Sequence, residues 1–344
     1  MNPFFSICIP NFNYAHYLAE TVESVLEQDF EDFEIIIVDN QSTDDSWQLI
    51  RTFSDSRIRK FQNNTNIGFA PNLQTAISKA NGKFVHLLSA DDKMKLGVLR
   101  KYHDAIKLQK DWSKLFLLSD VSYIDSTSKE YAIEERDYEL FQSRKIKLEA
   151  YEGKGEIIKF TGIEILQKAL PNIKNPAPFL SVMVSKELID SVEGFNAIRT
   201  IGPDKFLNYK LLFRNPVVLY IRIIGFQYRI HQSANMVAQA TNLKQQIDDY
   251  LNILDFANHA KSIGVKPKTM IHSFLTRVCF NSGLNSILNK NTTQAWRLVG
   301  SMLFFPREAL RNYRFYVLFL ALISYPISRL LLIGTKFIVK FKSN

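Results

Sequence analysis

The 344-residue chain has very little cysteine, with Cys8 and Cys279 as the only two. Both lie in segments with a core-like pattern, so we expect reduced thiols without a disulfide. The patterns G-x-G-x-x-G and G-x-x-x-x-G-K-[ST] do not occur. Their absence argues against a nicotinamide enzyme or a P-loop NTPase. The opening residues, MNPFFSICIPNFN, have no basic region and no long apolar core, so no signal peptide is expected.

Long hydrophobic runs are lacking as well. Residues 315–328 are uncharged for 14 positions, fewer than the roughly 20 needed to span a bilayer, and Pro326 and Arg329 interrupt the stretch. Residues 301–344 carry seven Lys or Arg against Glu308 alone, which accounts for six of the nine net positive charges. This composition favours a membrane surface over nucleic acid. We therefore predict an amphipathic membrane-associating segment at about 306–342, with a buried core helix or a tilted span as alternatives.

Strand and helix patterns alternate through the first part of the chain. Strand patterns occupy residues 4–10, 34–38, 57–62, 84–89 and 115–125, whereas helical spacing occupies residues 17–28, 44–53, 72–79 and 96–108. This alternation predicts right-handed crossovers and an α/β fold, with a mainly parallel twisted sheet covered by helices on both faces. Ser42 or Thr43 is expected to cap the second helix.

The pattern becomes purely helical after about residue 240. Apolar stripes predict helices at residues 243–263, 267–288 and 293–304. We therefore divide the chain into a domain at 1–238 and a helical C-terminal region at 239–344. Residues 126–156 are charged and poorly periodic, which indicates a loop or insertion.

Acidic residues follow two of the predicted strands. The run FVHLLSADD at residues 84–92 predicts a buried strand leading directly to Asp91 and Asp92. Paired carboxylates are hard oxygen ligands suited to Mg²⁺ or Mn²⁺, although they could also cap a helix that begins near Leu96. Asp39 ends the second strand in VDNQSTD. It could accept a hydrogen bond from the imide N–H of uracil, thymine or guanine, or could be an ordinary loop acid.

Several blocks in this order resemble the family 2 glycosyltransferases, which have the GT-A fold. They are SICIPNFN, IIIVDNQSTD, NTNIGFAPN, GKFVHLLSADD, a GF and PD pair, and YRIH, within residues 4–235. The resemblance implies an inverting hexosyl or related transferase that uses a nucleotide-diphospho-sugar and Mg²⁺ or Mn²⁺. It is typical of bacterial surface polysaccharide synthesis.

The resemblance also implies roles for individual residues. The catalytic base is Asp204, a carboxylate that would take the proton of the attacking acceptor hydroxyl; its alternative role is to cap the following helix. The metal ligands are Asp91, Asp92 and His231. The implied nucleotide-binding residues are Pro10, Asn11, Asn13, Asp39, Asn66, Gly68, Asn72, Ser89, Ala90 and Arg229. Here Arg229 would neutralise diphosphate oxygens. Ser89 and Pro203 stand where the family often has a further acid, and Pro71 stands where a basic residue is common.

The expected partners are a UDP-, dTDP- or GDP-sugar donor, a saccharide or polyprenyl-linked acceptor, and a membrane surface, without nucleic acid. This implies a cytoplasmic location, peripheral on the inner face of the cytoplasmic membrane. A catalytically inactive nucleotide-sugar-binding protein and a membrane-bound scaffold are the alternatives.

Overall fold

The computed structural model describes residues 2–131, 157–177, 179–192, 194–195, 203–230 and 244–323. The chain divides into two units. The sheet unit comprises Met1–Leu166, Asn175–Arg199 and Pro203–Ala234, and the helical unit comprises Gln167–Lys174, Thr200–Gly202 and Asn235–Asn344. The helical unit thus includes short segments that the sequence analysis assigned to the first domain.

The described strands form one mixed sheet in the order β3-β2-β1-β4-β9-β6-β10-β5, with β7 on β6 and β8 on β10. The strands are β1 Phe5–Asn11, β2 Phe33–Asp39, β3 Ile58–Gln62, β4 Phe84–Leu87, β5 Lys93–Met94, β6 Leu115–Ile124, β7 Glu130–Tyr131, β8 Ile157–Thr161, β9 Met183–Ser185 and β10 Val217–Arg229. Strands β1 to β4 are parallel, as are β6 and β10. The short strands β5, β7, β8 and β9 pair antiparallel.

Helices connect these strands. They are α1 Ala15–Leu26, α2 Ser46–Thr52, α3 Phe69–Ser78, α4 Val98–Lys107, α5 Gly162–Ala169, α6 Lys186–Asp190 and α7 Pro203–Phe213, with short 3₁₀ turns at Leu170–Asn172 and Phe179–Ser181. The predicted α/β fold with a central, mainly parallel sheet is therefore confirmed.

The central strands are buried on both faces, because the helices lie on each side of the sheet. Every residue of β1 and β2 is buried, as expected for parallel strands rich in Ile, Val and Phe. The helical stripe of α1 packs Leu18, Val22 and Val25 into the same core as Ile7 of β1. On the opposite face, the Cys8 thiol donates to the Ala76 carbonyl of α3, at a distance of 3.4 Å.

His86 packs in this core, as its alternating position in the fourth strand predicts. It is fully buried and stacks on Phe226 with ring centroids 4.7 Å apart. Its Nδ1 lies 3.0 Å from the Val182 carbonyl. Burial lowers the pKa of His86 to about 4, so the imidazole is neutral at physiological pH.

The caps of two helices differ from the expected ones. Helix α2 begins at Ser46, and neither Ser42 nor Thr43 caps it. That prediction is wrong because the Ser42 hydroxyl is engaged by the carboxylate that ends β2. Helix α4 begins at Val98 after Gly97, whose φ of 85° lies in the left-handed region, and no side chain caps it. Asp91 and Asp92 therefore do not serve as its N-cap.

The helical unit consists of helices that carry apolar stripes and pack against one another. The described helices are α8 Lys244–Ser262, α9 Pro267–Ser273, a π-helical segment Phe274–Asn281, α10 Ser282–Leu288, α11 Thr292–Met302, α12 Pro306–Leu310 and α13 Tyr313–Ile323. Close packing requires a small residue at Gly283, where a Cβ would lie 2.7 Å from a methyl carbon of Leu318. In the part of the chain that is described, no helix is long and apolar enough to cross a membrane. Residues 324–342 of the predicted membrane-associating segment lie outside the described residues.

Candidate active site

The predicted site residues gather at one edge of the sheet. Asn11 and Asp39 are paired in register at the carboxyl ends of β1 and β2. Asp91 follows the parallel strand β4 by four residues. The carboxyl edge of a doubly wound sheet is where ligands bind, because crossover loops leave a crevice there.

Asp39 is completely buried, and its carboxylate is surrounded by donors. One oxygen accepts from Asn11 Nδ2 at 2.9 Å and from the Ser42 hydroxyl at 2.5 Å. The other oxygen accepts from the Ser42 N–H and from Gln62 Nε2, each at 3.0 Å. A carboxylate offers about four acceptor positions, so these bonds use its capacity. In this structure Asp39 therefore holds together the loop around the pocket that is expected to bind the nucleotide base.

Asn13 ties the loop after β2 to the end of β1. Its φ of 61° lies in the left-handed region, where Asn is better tolerated than most side chains. Its side-chain oxygen accepts from the Thr43 N–H at 2.8 Å, and its own N–H donates to the Ser42 hydroxyl at 2.9 Å. Pro10, the preceding member of the predicted loop, is buried in β1. These bonds fix the shape of the rim before any ligand arrives.

Asparagine side chains hold the neighbouring loop, residues 63–72. Asn40 Nδ2 donates to Asn66 Oδ1 at 2.9 Å, and Asn63 Nδ2 donates to both Asn40 Oδ1 and Asn72 Oδ1 at 2.9 Å. Gly68, with φ of 88°, leads into helix α3. The predicted residues Asn66, Gly68 and Asn72 thus belong to one hydrogen-bonded turn.

The Asp91–Asp92 turn is held firmly in place. The Thr21 hydroxyl of α1 lies 2.9 Å from the Ala90 carbonyl and 2.8 Å from the Asp92 carbonyl. Asp91 is 9% exposed, whereas Asp92 is 1% exposed. Burial and the neighbouring charge of Asp91 raise the pKa of Asp92 well above its ordinary value, although Ser89 and Arg229 donate to it. The two acids are therefore unequal, and Asp91 is the more accessible to solvent.

Tyrosine and arginine side chains surround this turn. Burial, the two nearby acids and a hydrogen bond to Asp91 raise the pKa of Tyr14, so its hydroxyl stays protonated. Arg229 is 1% exposed, and its guanidinium donates to Asp91 O at 2.7 Å and to Glu20 Oε2 at 2.6 Å. Because the guanidinium already donates to these groups, it is not available to bind diphosphate oxygens, which was its predicted role.

Asp204 lies at the start of α7, on the same edge of the sheet. Strands β4, β6 and β10 run in one direction because β9 is antiparallel to the first two and β10 is parallel to β6. Helix α7 ends four residues before the first residue of β10, at the amino edge, so its first turn points toward the carboxyl edge. Consistent with this, Asp204 lines a cavity of about 30 Å³ together with Leu87, the last residue of β4.

The Asp204 carboxylate is oriented by two linked asparagine side chains. Asn175 Nδ2 donates to it at 2.6 Å, and Asn208 Nδ2 donates to Asn175 Oδ1 at 3.1 Å. The rest of the cavity is apolar and includes Phe179 and Phe195. Burial raises the pKa of Asp204, with a partly opposing effect of the Lys205 N–H and Asn175. Helix α7 begins at Pro203, so Asp204 lies in its first turn and not at the expected cap position before the helix.

The residues present fit a divalent cation only in part. The described residues contain no group of three or more His, Cys, Asp or Glu side chains arranged to hold a metal. Asp91 is the more accessible of the two adjacent acids, and Mg²⁺ or Mn²⁺ commonly uses one or two carboxylates together with substrate phosphates and water. The predicted third ligand, His231, lies outside the described residues.

Sequence analysis missed Tyr14, Glu20 and Gln62. Glu20 lies beside the buried stripe of α1, and its side chain is 42% exposed. No signal in the sequence therefore indicated that Glu20 pairs with a buried cation. Gln62 carried no signal either, because its role depends on β3 lying beside β2.

Comparisons with known proteins agree with this geometry. The family model described as Glycosyl transferase family 2 matches residues 6–155. Residues 6–155 are therefore similar to a glycosyltransferase domain of family 2.

Individual relatives point the same way. An Escherichia coli protein named UDP-Glc:alpha-D-GlcNAc-diphosphoundecaprenol beta-1,3-glucosyltransferase WfaP is 40% identical over 87 residues, covering 25% of this chain and 35% of that protein. The Bacillus subtilis putative teichuronic acid biosynthesis glycosyltransferase TuaG is 36% identical over 101 residues, covering 29% of this chain and 40% of that protein. The chain spans about a third of the length of the curated relatives it matches.

Among solved structures, Staphylococcus aureus TarS 1-349 in complex with UDP superimposes with a TM-score of 0.53 at 15% identity, covering 92% of this chain and 90% of that one. The same protein in complex with UDP-GlcNAc gives a TM-score of 0.52 at 16% identity, covering 88% of this chain and 91% of that one. At this identity the likeness shows the fold, which is the expected GT-A fold.

Proposed function

We propose that this chain transfers a sugar from a nucleoside-diphosphate-sugar to a saccharide acceptor, with inversion at the anomeric carbon. The proposal is supported by two observations: Asp39 and Asp91 lie at the carboxyl edge of strands that the family 2 model covers, and Asp204 lies beside Leu87 at the end of β4. This edge would provide a donor pocket, an acid able to share a cation with the donor, and a separate candidate base.

The nucleotide would lie against the rim formed by the ends of β1 and β2. Pro10, Asn11 and Asn13 shape one wall, and the turn from Asn66 to Asn72 shapes the other. Asp39 would act indirectly, by holding the shape of this rim, since its oxygens already accept hydrogen bonds from protein groups. Ser89 and Ala90 would lie below the diphosphate as part of the turn that presents Asp91.

The diphosphate would share Mg²⁺ or Mn²⁺ with Asp91, with Asp92 and His231 as the further proposed ligands. A bound cation would stabilise the negative charge that develops on the departing nucleoside diphosphate. The protein contributes a fixed carboxylate, because Thr21 and Arg229 brace the backbone of this turn.

Asp204 would remove the proton from the acceptor hydroxyl as that oxygen attacks the anomeric carbon. Its carboxylate is oriented by Asn175, which holds one oxygen by a short hydrogen bond of 2.6 Å. A raised pKa makes the carboxylate a stronger base once it is ionised.

The acceptor would be a saccharide carried on a polyprenyl diphosphate in bacterial surface polysaccharide synthesis. Support comes from relatives whose names include diphosphoundecaprenol and teichuronic acid biosynthesis. Such a substrate would place the protein at the inner face of the cytoplasmic membrane.

Helix α13 would lie on this membrane surface. Tyr313, Tyr316 and Ile323 are exposed on one side of the helix, while Phe315 and Leu318 pack inward. The exposed Arg307 and Arg311 lie nearby in the sequence, with Glu308 as the only acid from residue 301 to 323. Exposed aromatic and basic side chains match an anionic lipid surface.

Membrane attachment is tested by sedimentation with phosphatidylglycerol vesicles. We expect the protein to bind these vesicles at low salt, to bind phosphatidylcholine vesicles weakly, and to lose affinity in Arg307→Gln/Arg311→Gln because each basic group contributes about 1 kcal/mol. Lys266→Gln/Lys268→Gln, which removes two bases at another part of the helical unit, is the control. Equal binding of both variants would contradict the proposed surface.

The activity is tested by incubating the full chain with UDP-, dTDP- and GDP-sugars and Mn²⁺ in the presence of a lipid-linked saccharide. We expect one donor class to raise the melting temperature, since a ligand of the native state stabilises it, and to be turned over. Donor binding without transfer or hydrolysis would instead support an inactive nucleotide-sugar-binding protein. A complete lack of donor binding would refute the proposal.

A further inference from the structure

Arg229 is the largest fully buried side chain in the part of the protein that the structure describes. Its guanidinium lies 4.4 Å from the centre of the Tyr17 ring in α1. The other groups around it come from two further segments that are distant in sequence: Asp91 after β4, and Asp125 and Ser128 between β6 and β7. One side chain thus joins four parts of the chain at the edge where the candidate site lies.

The guanidinium donors are directed to fixed acceptors. Nε donates to the Asp91 carbonyl at 2.7 Å, and one terminal nitrogen donates to the Asp125 carbonyl and the Ser128 hydroxyl at 3.0 and 2.9 Å. The other terminal nitrogen donates to Glu20 Oε2 at 2.6 Å. A diphosphate could replace these acceptors only if the buried network came apart.

Two bonds from Arg229 reach two successive residues of the acidic turn. Its side chain binds the carbonyl of Asp91, and its backbone N–H donates to Asp92 Oδ1 at 2.8 Å. Thr21 holds the same turn from α1 through the carbonyls of Ala90 and Asp92. Both elements together therefore fix the backbone of the turn that carries the Asp91 carboxylate.

Glu20 provides the charge that makes this arrangement possible. It forms an ion pair with Arg229, whose side chain is 0% exposed, and accepts a hydrogen bond of 2.6 Å from Ser128. A buried guanidinium requires such a counter-charge. Lysine could not replace the arginine, because an ammonium group cannot donate in these fixed planar directions.

We propose that Arg229 and Glu20 are positioning residues that fix the Asp91 carboxylate for a divalent cation and a nucleoside diphosphate, without contacting either. This inference rests on the proposed function, because that function assigns Asp91 to the cation. In this proposal Arg229 is not a diphosphate ligand but a residue that positions the metal ligand Asp91. Glu20 is added to the site in the same role.

The test measures binding of UDP by calorimetry over a range of Mn²⁺ concentrations, for the intact protein and for Arg229→Lys and Glu20→Gln. We expect both variants to require about 10- to 100-fold more Mn²⁺ for half-maximal UDP binding, the loss usual when partners behind a metal ligand are removed. UDP binding without metal should remain unchanged. Glu20→Gln keeps the side-chain shape, so it provides the test if Arg229→Lys does not fold.

Arg59→Lys is the matched control. Arg59 forms an ion pair of 2.7 Å with Glu34, near the amino end of β2 and away from the candidate site. Its Mn²⁺ requirement should equal that of the unmodified protein. Melting temperatures are recorded for all variants, so that a loss of stability is separated from a loss of metal affinity.

Three results would overturn the inference. One is a lower melting temperature with an unchanged Mn²⁺ requirement, which would make the network merely structural. Another is weaker metal-free UDP binding in Arg229→Lys alone, which would make Arg229 a diphosphate ligand. The third is UDP binding by the unmodified protein that Mn²⁺ does not improve. If sugar transfer fails while the Mn²⁺ shift is observed, the proposed function fails and the positioning role stands.

Discussion

Asp204→Asn is expected to reduce sugar transfer by about 10²- to 10⁴-fold, the usual contribution of a general base. In the unmodified protein, Asn175 Nδ2 lies 2.6 Å from the Asp204 carboxylate. The amide oxygen of the variant can still accept this hydrogen bond, so the local structure should persist. Donor binding should remain within about threefold of that of the unmodified protein, because a base acts in the transition state. Initial rates and donor affinities, measured separately, check both statements.

The pH dependence gives a second measurement on Asp204. A base must be deprotonated, and burial raises the pKa of this carboxyl above its ordinary value. The rate should therefore fall as the pH decreases through this raised pKa and should level off above it. The acid limb of the profile should be absent from the residual activity of Asp204→Asn.

Glu187→Gln is the control for a purely electrostatic effect at a helix start. Glu187 lies in the first turn of α6, as Asp204 lies in the first turn of α7. Its replacement should change the transfer rate by no more than about twofold, since helix-terminal charges contribute only fractions of a kcal/mol. Similar rates for Asp204→Asn and Glu187→Gln would show that Asp204 is a helix-capping residue.

Asp91→Asn is expected to remove the metal dependence of donor binding. With Mn²⁺ present, UDP affinity should fall on the order of 100-fold, or about 3 kcal/mol, to the level measured with EDTA. The metal-free affinity should not change, because the variant keeps the size of the side chain and an acceptor for Tyr14. Calorimetric titration with and without Mn²⁺ distinguishes the two affinities.

Asp92→Asn is the matched comparison for Asp91. Asp92 is buried, and its Oδ1 accepts from the Arg229 N–H, a bond that the amide oxygen can retain. Its effect on metal-dependent binding should be clearly smaller than that of Asp91→Asn. The opposite ranking would show that Asp92 is the main ligand and that the orientation of the turn changes on binding.

The sequence by itself determined the order of strands and helices in the sheet unit. Runs such as residues 35–38 are apolar throughout, and only a strand covered on both faces buries every one of these side chains. It also determined that acids follow β2 and β4, because the position of a residue at the end of a strand is a local property. The family blocks that include Asp39 and Asp91 could be identified for the same reason.

Only the tertiary structure decided what these side chains bind. Asp39 at the end of β2 could have faced a ligand, but its oxygens accept from Asn11 and Ser42 because β1 lies beside β2. Arg229 is the last residue of β10 and suggested a diphosphate contact, yet it lies against Glu20, 209 positions away in the chain. Hydrophobic periodicity specifies which face of a strand or helix is buried, whereas the partner of a polar side chain depends on which distant segments the fold brings together.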